Sequence, residues 1–180
     1  MAGDERIRLF CALELPEGTR AELAAWGDAE LRGGRRVRTE DLHVTLAFLG
    51  SRPAGDVPGV VAELRAAAAS AAAPIELRPR RYRETRSVGM IVLDDPDGAA
   101  TALAGDVQAR LEELGVYRRE GRRWLPHVTV LRFRERAGLR PEVANMRSIH
   151  VVRSALYRSS LGPGGARYDA LETAALGGNR

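Results

Sequence analysis

Apolar and polar residues alternate along the first third of the chain in a pattern that predicts a strand, a helix and a second strand. Residues 6–14 alternate in the way that a half-buried strand does. Residues 15–31 then have helical character, with Pro16 in the first turn, where a proline is tolerated. Residues 42–49 form a second apolar strand, which Gly50 ends.

The same order of elements recurs in the second half of the chain. An apolar strand at 88–93 precedes a helix at about 98–114 and a strand at 127–133. From the proline that opens the helix to the histidine of the following strand there are 27 residues in the first half (16 to 43) and 31 in the second (96 to 127). The chain therefore contains a weak internal repeat, strand–helix–strand twice. The remaining predicted elements are a helix at 59–72 and strands at 75–83, 148–161 and 166–172, the last two joined by the turn Gly162-Pro163-Gly164-Gly165.

Length and composition bound the class of protein. The 180 residues, 44% hydrophobic and 29% charged, suit a single domain of two small lobes that spans 1–180. The single cysteine, Cys11, lies among apolar residues, so we expect a buried thiol and no disulfide framework. No signal peptide and no membrane span is expected, and we expect a cytoplasmic monomer.

All 28 basic residues are arginine, and the chain contains no lysine. This excludes a P-loop lysine, a Schiff base and a lysyl-nucleotide intermediate. The arginines cluster at 32–38, 78–86 and 118–136, and the last cluster carries seven arginines against two glutamates. One interpretation is a rim that binds phosphate groups, for which the guanidinium fork is well suited. The other is ordinary solvated loops in an arginine-rich protein.

Two His-x-Thr motifs stand at equivalent places in the two halves of the repeat. His43 and Thr45 lie on the second predicted strand, and His127 and Thr129 lie on the matching strand of the second half. Because residues i and i+2 of a strand point to the same face, each histidine shares a face with its threonine. A pseudo-two-fold relation between the halves would bring both faces together around one cleft.

Two imidazoles and two hydroxyls around one cleft suit acid–base chemistry on a phosphate. One histidine can take a proton from the nucleophile while the other gives a proton to the leaving oxygen. The threonine hydroxyls can donate hydrogen bonds to the non-bridging oxygens. Arg132 could bind the phosphate bidentately. It lies five residues after His127, however, and so points to the opposite face unless a β-bulge redirects it.

The histidines allow two other interpretations. Either histidine could be a structural residue, but its recurrence in identical motifs favours a functional role. A zinc site would need a third ligand, and although Asp41 precedes His43 by two residues, Leu125 stands at the matching place before His127. We therefore expect no metal ion. His150 has no threonine two places on and is expected to be structural.

The motifs and their flanking residues resemble the two-histidine (2H) phosphoesterase superfamily. Within it the chain is most similar to the RNA 2',3'-cyclic phosphodiesterases, long called the 2'-5' RNA ligase family. The resemblance covers nearly the whole length, and four segments carry it: residues 8–16, 42–50, 126–132 and 157–161. It implies a bilobal α+β fold with two antiparallel sheets, flanking helices and a cleft between the lobes. It also implies hydrolysis of RNA 2',3'-cyclic phosphodiester ends to 2'-phosphomonoesters without a metal ion or cofactor.

The resemblance assigns roles to five residues. His43 and His127 match the catalytic pair, Thr45 and Thr129 match phosphate-binding hydroxyls, and Arg132 matches a phosphate-binding arginine. We expect His127 to act as the base and His43 as the acid. The chain departs from the family pattern at Val130-Leu131, where Leu-Ala is expected, and in the basic segment 81–87, whose substrate contacts are therefore in doubt.

Two aromatic residues beside the motifs, Phe48 and Trp124, could stack a base of single-stranded RNA or belong to the core. The expected ligands are RNA ends or cyclic nucleotides, with no obligate protein partner. Three alternatives stay open: ATP-independent 2'-5' ligation, action on a small cyclic nucleotide or ADP-ribose cyclic phosphate, and non-catalytic binding of RNA ends.

Overall fold

A computed structural model describes residues 5–143 and 145–178 and has an α+β fold. Within these residues three α-helices flank two antiparallel sheets, as the sequence predicted. In chain order the elements are β1 (Arg6–Glu14), α1 (Glu17–Glu30), β2 (Arg35–Arg36), β3 (His43–Pro53), α2 (Val57–Ser70), β4 (Ile75–Glu84), β5 (Val88–Asp94), α3 (Ala99–Glu113), β6 (His127–Arg132), β7 (Ile149–Val151), β8 (Arg153–Gly162) and β9 (Gly165–Ala175).

The internal repeat is visible in the strand order of the sheets. The first sheet has the order β3-β1-β8-β9 and the second β2-β6-β5-β4-β7. In each sheet the two strands of one repeat unit, β1 with β3 and β5 with β6, are antiparallel neighbours. The chain then exchanges between the sheets, since β4 follows α2 into the second sheet and β8 returns to the first. The two motif strands, β3 and β6, thereby occupy equivalent places.

The helices cover one face of each sheet. Helix α2 packs on β8 and β9, and α3 packs on α2 and β3. Helix α1 lies beside the second sheet, where the ring of Trp26 is 6.3 Å from that of Tyr82 on β4. The α3 N-terminus is fixed by Asp95, whose carboxylate accepts the N–H groups of Ala100 and Thr101. Each sheet is therefore left with one face that no helix covers.

The burial pattern separates these two kinds of face. Leu9, Leu13, Val44, Ile91 and Val128 belong to one continuous apolar core between the sheets and the helices. Five further buried apolar residues lie outside that core, on the faces that carry the His-x-Thr motifs: Phe10, Ala12, Met90, Val92 and Ala155. We call these the inner faces of the sheets.

Three features of the fold differ from the sequence prediction. Gly50 does not end the second strand: it takes a positive φ of 71° within β3, which runs on to Pro53 opposite Arg6 of β1. The strand predicted at 148–161 is two strands in different sheets, β7 and β8, separated at the exposed Val152. Alternation of apolar residues continues across Val152 because both strands are half buried, so the sequence pattern does not reveal the change of sheet. Strand β2 was not predicted either, because its two residues are both polar arginines.

The β8–β9 hairpin and the burial of Cys11 agree with the sequence prediction. Strands β8 and β9 form the predicted hairpin, which closes at Gly162 opposite Gly165. Cys11 is fully buried, and burial raises the pKa of its thiol to about 12. Such a thiol is not reactive at neutral pH. No helix within residues 5–143 and 145–178 has the length and apolar character needed to span a bilayer.

Candidate active site

A β-bulge in β3 puts Phe48 on the same face as the first motif. His43 lies opposite Glu14 of β1 and Thr45 opposite Ala12. The register then shifts by one residue at Leu46, so that Phe48 lies opposite Phe10. Because residues opposite each other share a face, Phe48 joins His43 and Thr45 on the inner face instead of entering the core.

The second motif strand has a bulge at the equivalent place. His127 lies opposite Val92 of β5 and Thr129 opposite Met90, and the register shifts at Val130. Arg132 then lies opposite Val88, which is on the same side of β5 as Met90. The bulge therefore brings Arg132 to the inner face, the condition under which the sequence allowed it to reach the phosphate. Phe48 and Arg132 hold the same position in the repeat, five residues after each histidine.

Backbone carbonyl groups orient both imidazoles in the same way. The Nδ1–H of His43 donates to the carbonyl oxygen of Asp41 at 2.7 Å, and the Nδ1–H of His127 donates to that of Leu125 at 2.8 Å. Since a carbonyl oxygen only accepts, each neutral ring carries its proton on Nδ1 and a lone pair on Nε2. The Nε2 of His43 accepts a hydrogen bond from the hydroxyl group of Thr45, with 3.0 Å between the two atoms. Both Nε2 atoms are thus the ring atoms left for acid–base chemistry.

The surroundings of His43 favour its neutral form. Its ring packs against Phe10 at 4.8 Å and against the edge of Tyr168 at 5.4 Å. Burial, together with the nearby charges of His127 and Arg132, lowers the pKa of His43 to about 4, and the hydrogen bond to the Asp41 carbonyl opposes this shift. His43 is therefore neutral at pH 7 in the free protein. The strands that carry the two histidines, β3 and β6, are themselves in contact.

Two hydrogen bonds tie β3 to neighbouring elements. Trp124, next to the second motif, donates its Nε1–H to the carbonyl of Thr45 at 3.0 Å. Because Trp124 is partly buried against the core and bound to β3, it connects the two motif strands. The buried Gln108 of α3 donates to the carbonyl of Leu46, the bulge residue, at 2.9 Å. The sequence analysis missed Gln108, although a glutamine on the apolar face of a helix is a usable signal.

The aromatic cluster around His43 was not predicted from the sequence either. The ring of Phe10 stacks on Tyr157 of β8 at 5.1 Å and meets the edge of Tyr168 of β9 at 4.9 Å. These residues share the inner face because Phe10 pairs with Tyr157, and Tyr168 pairs with Ser159 two residues further on. These aromatic rings pack against one side of the His43 imidazole.

Asp41 is held by an arginine and is not placed as a metal ligand. Its carboxylate is 6% exposed and accepts two hydrogen bonds from Arg38, from Nε at 2.8 Å and from the terminal nitrogen at 2.7 Å. Burial raises the pKa of Asp41, and Arg38 opposes that shift. Across residues 5–143 and 145–178 no three His, Cys, Asp or Glu side chains are grouped as a metal site would require.

The other residues that the sequence singled out lie in different parts of the fold. Phe48 is 49% exposed, and the Arg8 guanidinium lies 5.4 Å from the centre of its ring. His150 is exposed on β7, opposite Glu76 and at the far edge of the second sheet from the motif strand. Arg81 and Arg83 pair with Val92 and Met90 and so lie on the inner face. In the 118–123 segment two arginines form ion pairs, Arg119 with Glu112 and Arg122 with Glu120.

Comparison with known proteins identifies relatives across the whole length. The family model described as "2'-5' RNA ligase superfamily" matches residues 15–158. An RNA 2',3'-cyclic phosphodiesterase of Thermus thermophilus is 33% identical over 96% of this chain and 91% of its own length. A protein of the same name from Escherichia coli is 29% identical over 96% of this chain and 98% of its own.

Solved structures show the same fold. Escherichia coli LigT complexed with 3'-AMP superposes with a TM-score of 0.81 at 27% identity and covers 96% of this chain and 99% of its own. A structure from Thermus thermophilus gives a TM-score of 0.81 at 32% identity, covering 97% of this chain and 100% of its own. The resemblance read from the motifs is confirmed, and the chain belongs to the 2'-5' RNA ligase superfamily.

Proposed function

We propose that this protein hydrolyses the 2',3'-cyclic phosphodiester at RNA ends to a 2'-phosphomonoester, with His43 and His127 as the acid–base pair. One observation carries the proposal: both imidazoles hold a proton on Nδ1, donate it to a backbone carbonyl and leave Nε2 available on the inner faces of equivalent strands. The names of the Thermus thermophilus and Escherichia coli relatives support the same reaction.

The stereochemistry of the product defines what each histidine must do. A 2'-phosphate is left when the 3' oxygen departs, so one histidine protonates that oxygen and the other removes a proton from the attacking water. We assign the base role to His127 and the acid role to His43. Because burial lowers the pKa of His43 to about 4, the acid role requires the bound anionic phosphate to raise that pKa.

Thr45, Thr129 and Arg132 are proposed to hold the non-bridging phosphate oxygens. The Thr45 hydroxyl, which donates to His43 Nε2, can turn to a phosphate oxygen when substrate binds. Arg132 shares the face of Thr129 and supplies a two-pronged positive charge where negative charge must be held in the transition state. These interactions need no cofactor.

Phe48 is proposed to stack the base next to the cyclic phosphate. Its ring is exposed on the inner face, and Arg8 lies against it. Any of the four bases can stack on an exposed aromatic ring, which suits an enzyme that acts on RNA ends of varied sequence. Structures of Escherichia coli LigT with 3'-AMP, NADP+ and ATP are consistent with nucleotide binding in the family.

The proposal is tested with purified protein, an oligonucleotide ending in a 2',3'-cyclic phosphate, and excess EDTA. We expect a 2'-phosphate product, identified by phosphorus NMR, at the same rate with and without the chelator. Absence of product, a 3'-phosphate product, or loss of activity on chelation would each contradict the proposal. Both motifs are supplied by one chain, so we also propose an active monomer, to be checked by light scattering under assay conditions.

The same assay separates the alternatives. Faster turnover of free cyclic nucleotides or of ADP-ribose cyclic phosphate than of RNA ends would identify a small-molecule enzyme. Joining of a 5'-hydroxyl RNA to the cyclic end without ATP would establish 2'-5' ligation. A non-catalytic binder would bind the RNA end and leave it unchanged.

A further inference from the structure

A cavity of about 130 Å³ lies beside the candidate active site, between β2 and the tip of the β8–β9 hairpin. Its wall includes Arg35 and Arg38 near β2, Arg132 of β6, and Gly164 and Tyr168 of the hairpin. We call it the arginine pocket. Its volume corresponds to about four water molecules at about 30 Å³ each, which is room for a phosphate group.

Two of the arginines around the pocket are neutralised by carboxylates. Arg36 forms an ion pair with Asp28. Arg38 binds the buried carboxylate of Asp41 and lies 3.4 Å from Glu40. The single acidic group of the pocket wall, Asp41, is therefore already paired.

The other two arginines, Arg35 and Arg132, have no carboxylate partner within residues 5–143 and 145–178. They lie directly opposite each other across β2 and β6. Like charges at such a position destabilise a sheet, unless an anion lies between them. The hydrogen bond shown for Arg35 is to the backbone carbonyl of Gly164 at the hairpin tip. The pocket thus has two positive charges without a carboxylate partner; Arg132 is assigned to the reacting phosphate, which leaves Arg35 for a further anion.

The pocket adjoins the reacting groups. Tyr168 separates it from His43, whose ring lies 5.4 Å from the tyrosine ring. Arg132 is close enough to His43 to lower the pKa of that histidine. Neighbouring strands are about 4.8 Å apart, so Arg35 lies one strand beyond the arginine proposed to hold the reacting phosphate.

We propose that the arginine pocket binds a second phosphate of the substrate, the phosphodiester that precedes the cyclic end in an RNA chain. This inference rests on the proposed function. It predicts in addition that the enzyme favours substrates of two or more nucleotides. Arg35 exchanges its hydrogen bond with the Gly164 carbonyl for one with the phosphate oxygens. A guanidinium group suits this role because its fork matches two oxygens of one phosphate.

The test compares adenosine 2',3'-cyclic phosphate, which has one phosphate, with the dinucleotide ApA carrying the same cyclic end. For Arg35→Gln we expect the ratio of kcat/KM for the dinucleotide to that for the mononucleotide to fall about tenfold, the size of one charged hydrogen-bonded contact. An unchanged ratio would overturn the proposal. An equal loss for both substrates would do so too, since it would mean that Arg35 contributes equally to both and does not bind a second phosphate.

Two matched variants remove the same charge elsewhere. Arg140→Gln acts on an exposed residue of the 133–147 segment, which contacts α1 through the Trp26–Glu142 hydrogen bond. We expect no change in its substrate ratio. Arg83→Gln acts on the inner face two strands from Thr129. A fall in the ratio for Arg83→Gln but not for Arg35→Gln would place the second phosphate over β4 and overturn the proposal.

A binding measurement keeps this test independent of turnover. Calorimetry with adenosine 2'-phosphate, adenosine 2',5'-bisphosphate and ApA 2'-phosphate should show that the second phosphate tightens binding to the wild type about tenfold more than to Arg35→Gln. Equal tightening in both proteins would contradict the pocket. Binding without turnover would reject the proposed function alone. If adenosine 2',5'-bisphosphate and ApA 2'-phosphate bind equally more tightly than adenosine 2'-phosphate, the pocket accepts a terminal 5'-phosphate as well as a phosphodiester. If only ApA 2'-phosphate binds more tightly, the pocket is specific for the phosphodiester.

Discussion

At the scale of single residues, the orientation of each imidazole depends on the backbone and not on a carboxylate. His43 and His127 each donate Nδ1–H to the carbonyl of the residue two places earlier. A carboxylate partner would stabilise the imidazolium form of the ring, whereas a neutral carbonyl does so less strongly. The proton affinity of His43 Nε2 is therefore set mainly by burial of the ring, and a bound phosphate would raise it.

Replacement of either motif histidine tests the acid–base assignment. We expect His43→Ala and His127→Ala to lower kcat by a factor of about 100 to 10,000, the usual contribution of a positioned acid or base. His150→Ala, an exposed histidine at the far edge of the second sheet, is the matched control and should retain full activity. Steady-state kinetics and circular dichroism of all three variants decide the point. Unchanged turnover in either motif variant would remove that histidine from the mechanism.

The proposed acid role of His43 predicts a change in its pKa on binding. In the free protein the pKa is about 4, below the ordinary value of 6.5, because the ring packs against Phe10 and Tyr168 and loses part of its hydration. A bound 2'-phosphate should raise this pKa towards 6.5, since a nearby negative charge favours the imidazolium form. Histidine NMR titration with and without adenosine 2'-phosphate measures it. If the pKa stays near 4, His43 suits the base role instead.

The same shift makes the stability of the fold depend on pH. The folded pKa of His43 lies below the unfolded value, so the unfolded chain takes up the proton first as pH falls. The stabilisation is complete above pH 6.5 and is lost between pH 6.5 and 4. We expect the free energy of unfolding of the wild type to fall about 3 kcal/mol more than that of His43→Gln over this interval. Urea denaturation across the range measures the difference, with His150→Gln as control; parallel curves for wild type and His43→Gln would contradict the assignment.

At the scale of elements, the two bulges decide which side chains reach the cleft. The sequence pattern was enough to predict β3 and β6 and to put each histidine on the same face as its threonine. It was not enough to assign a face to Phe48 or Arg132, because these depend on the register against β1 and β5. Register is a property of strand pairs, and a one-residue shift exchanges the faces of all the residues that follow.

Gln108 is predicted to stabilise the first bulge. Its side chain donates to the carbonyl of Leu46, a buried group. Gln108→Met would leave that acceptor unpaired, and we expect a loss of about 1–3 kcal/mol in the free energy of unfolding. Glu113→Met, an exposed position on the same helix, is the control and should change stability little. Chemical denaturation measures both, and an equally small effect at both positions would show that the Leu46 carbonyl finds another donor.

At the scale of the whole molecule, the repeat builds two sheets whose inner faces carry the two His-x-Thr motifs. The spacing of motifs and strands predicted this arrangement because each motif followed a strand and a helix in both halves. The partition of 148–161 between sheets could not be predicted, since apolar alternation is the same in either sheet. The clustering of Phe10, Tyr157 and Tyr168 around His43 also depends on which strands become neighbours, and no local pattern encodes that.

The arginines of the inner faces predict a salt effect that grows with RNA length. Five of them face the cleft or its margin: Arg8, Arg35, Arg81, Arg83 and Arg132. For a trinucleotide with a cyclic end, log kcat/KM should fall with log salt more steeply than for the mononucleotide, by about 0.7 for each further phosphate contacted. Kinetics from about 50 to 200 mM salt measure the slopes. Equal slopes for both substrates would mean that these arginines face solvent and not the RNA.

The equivalence of Phe48 and Arg132 has a consequence for the direction in which a nucleotide enters. The histidines and threonines repeat almost symmetrically, and a phosphate group is itself nearly symmetric, so those four residues alone would accept a ligand in either of two opposite senses. The position five residues after each histidine breaks the symmetry with a ring in one half and a guanidinium in the other. A base suits the ring and an anion suits the guanidinium. The two halves of the repeat thus carry different residues at one equivalent position, and this difference makes the two ends of the cleft chemically distinct.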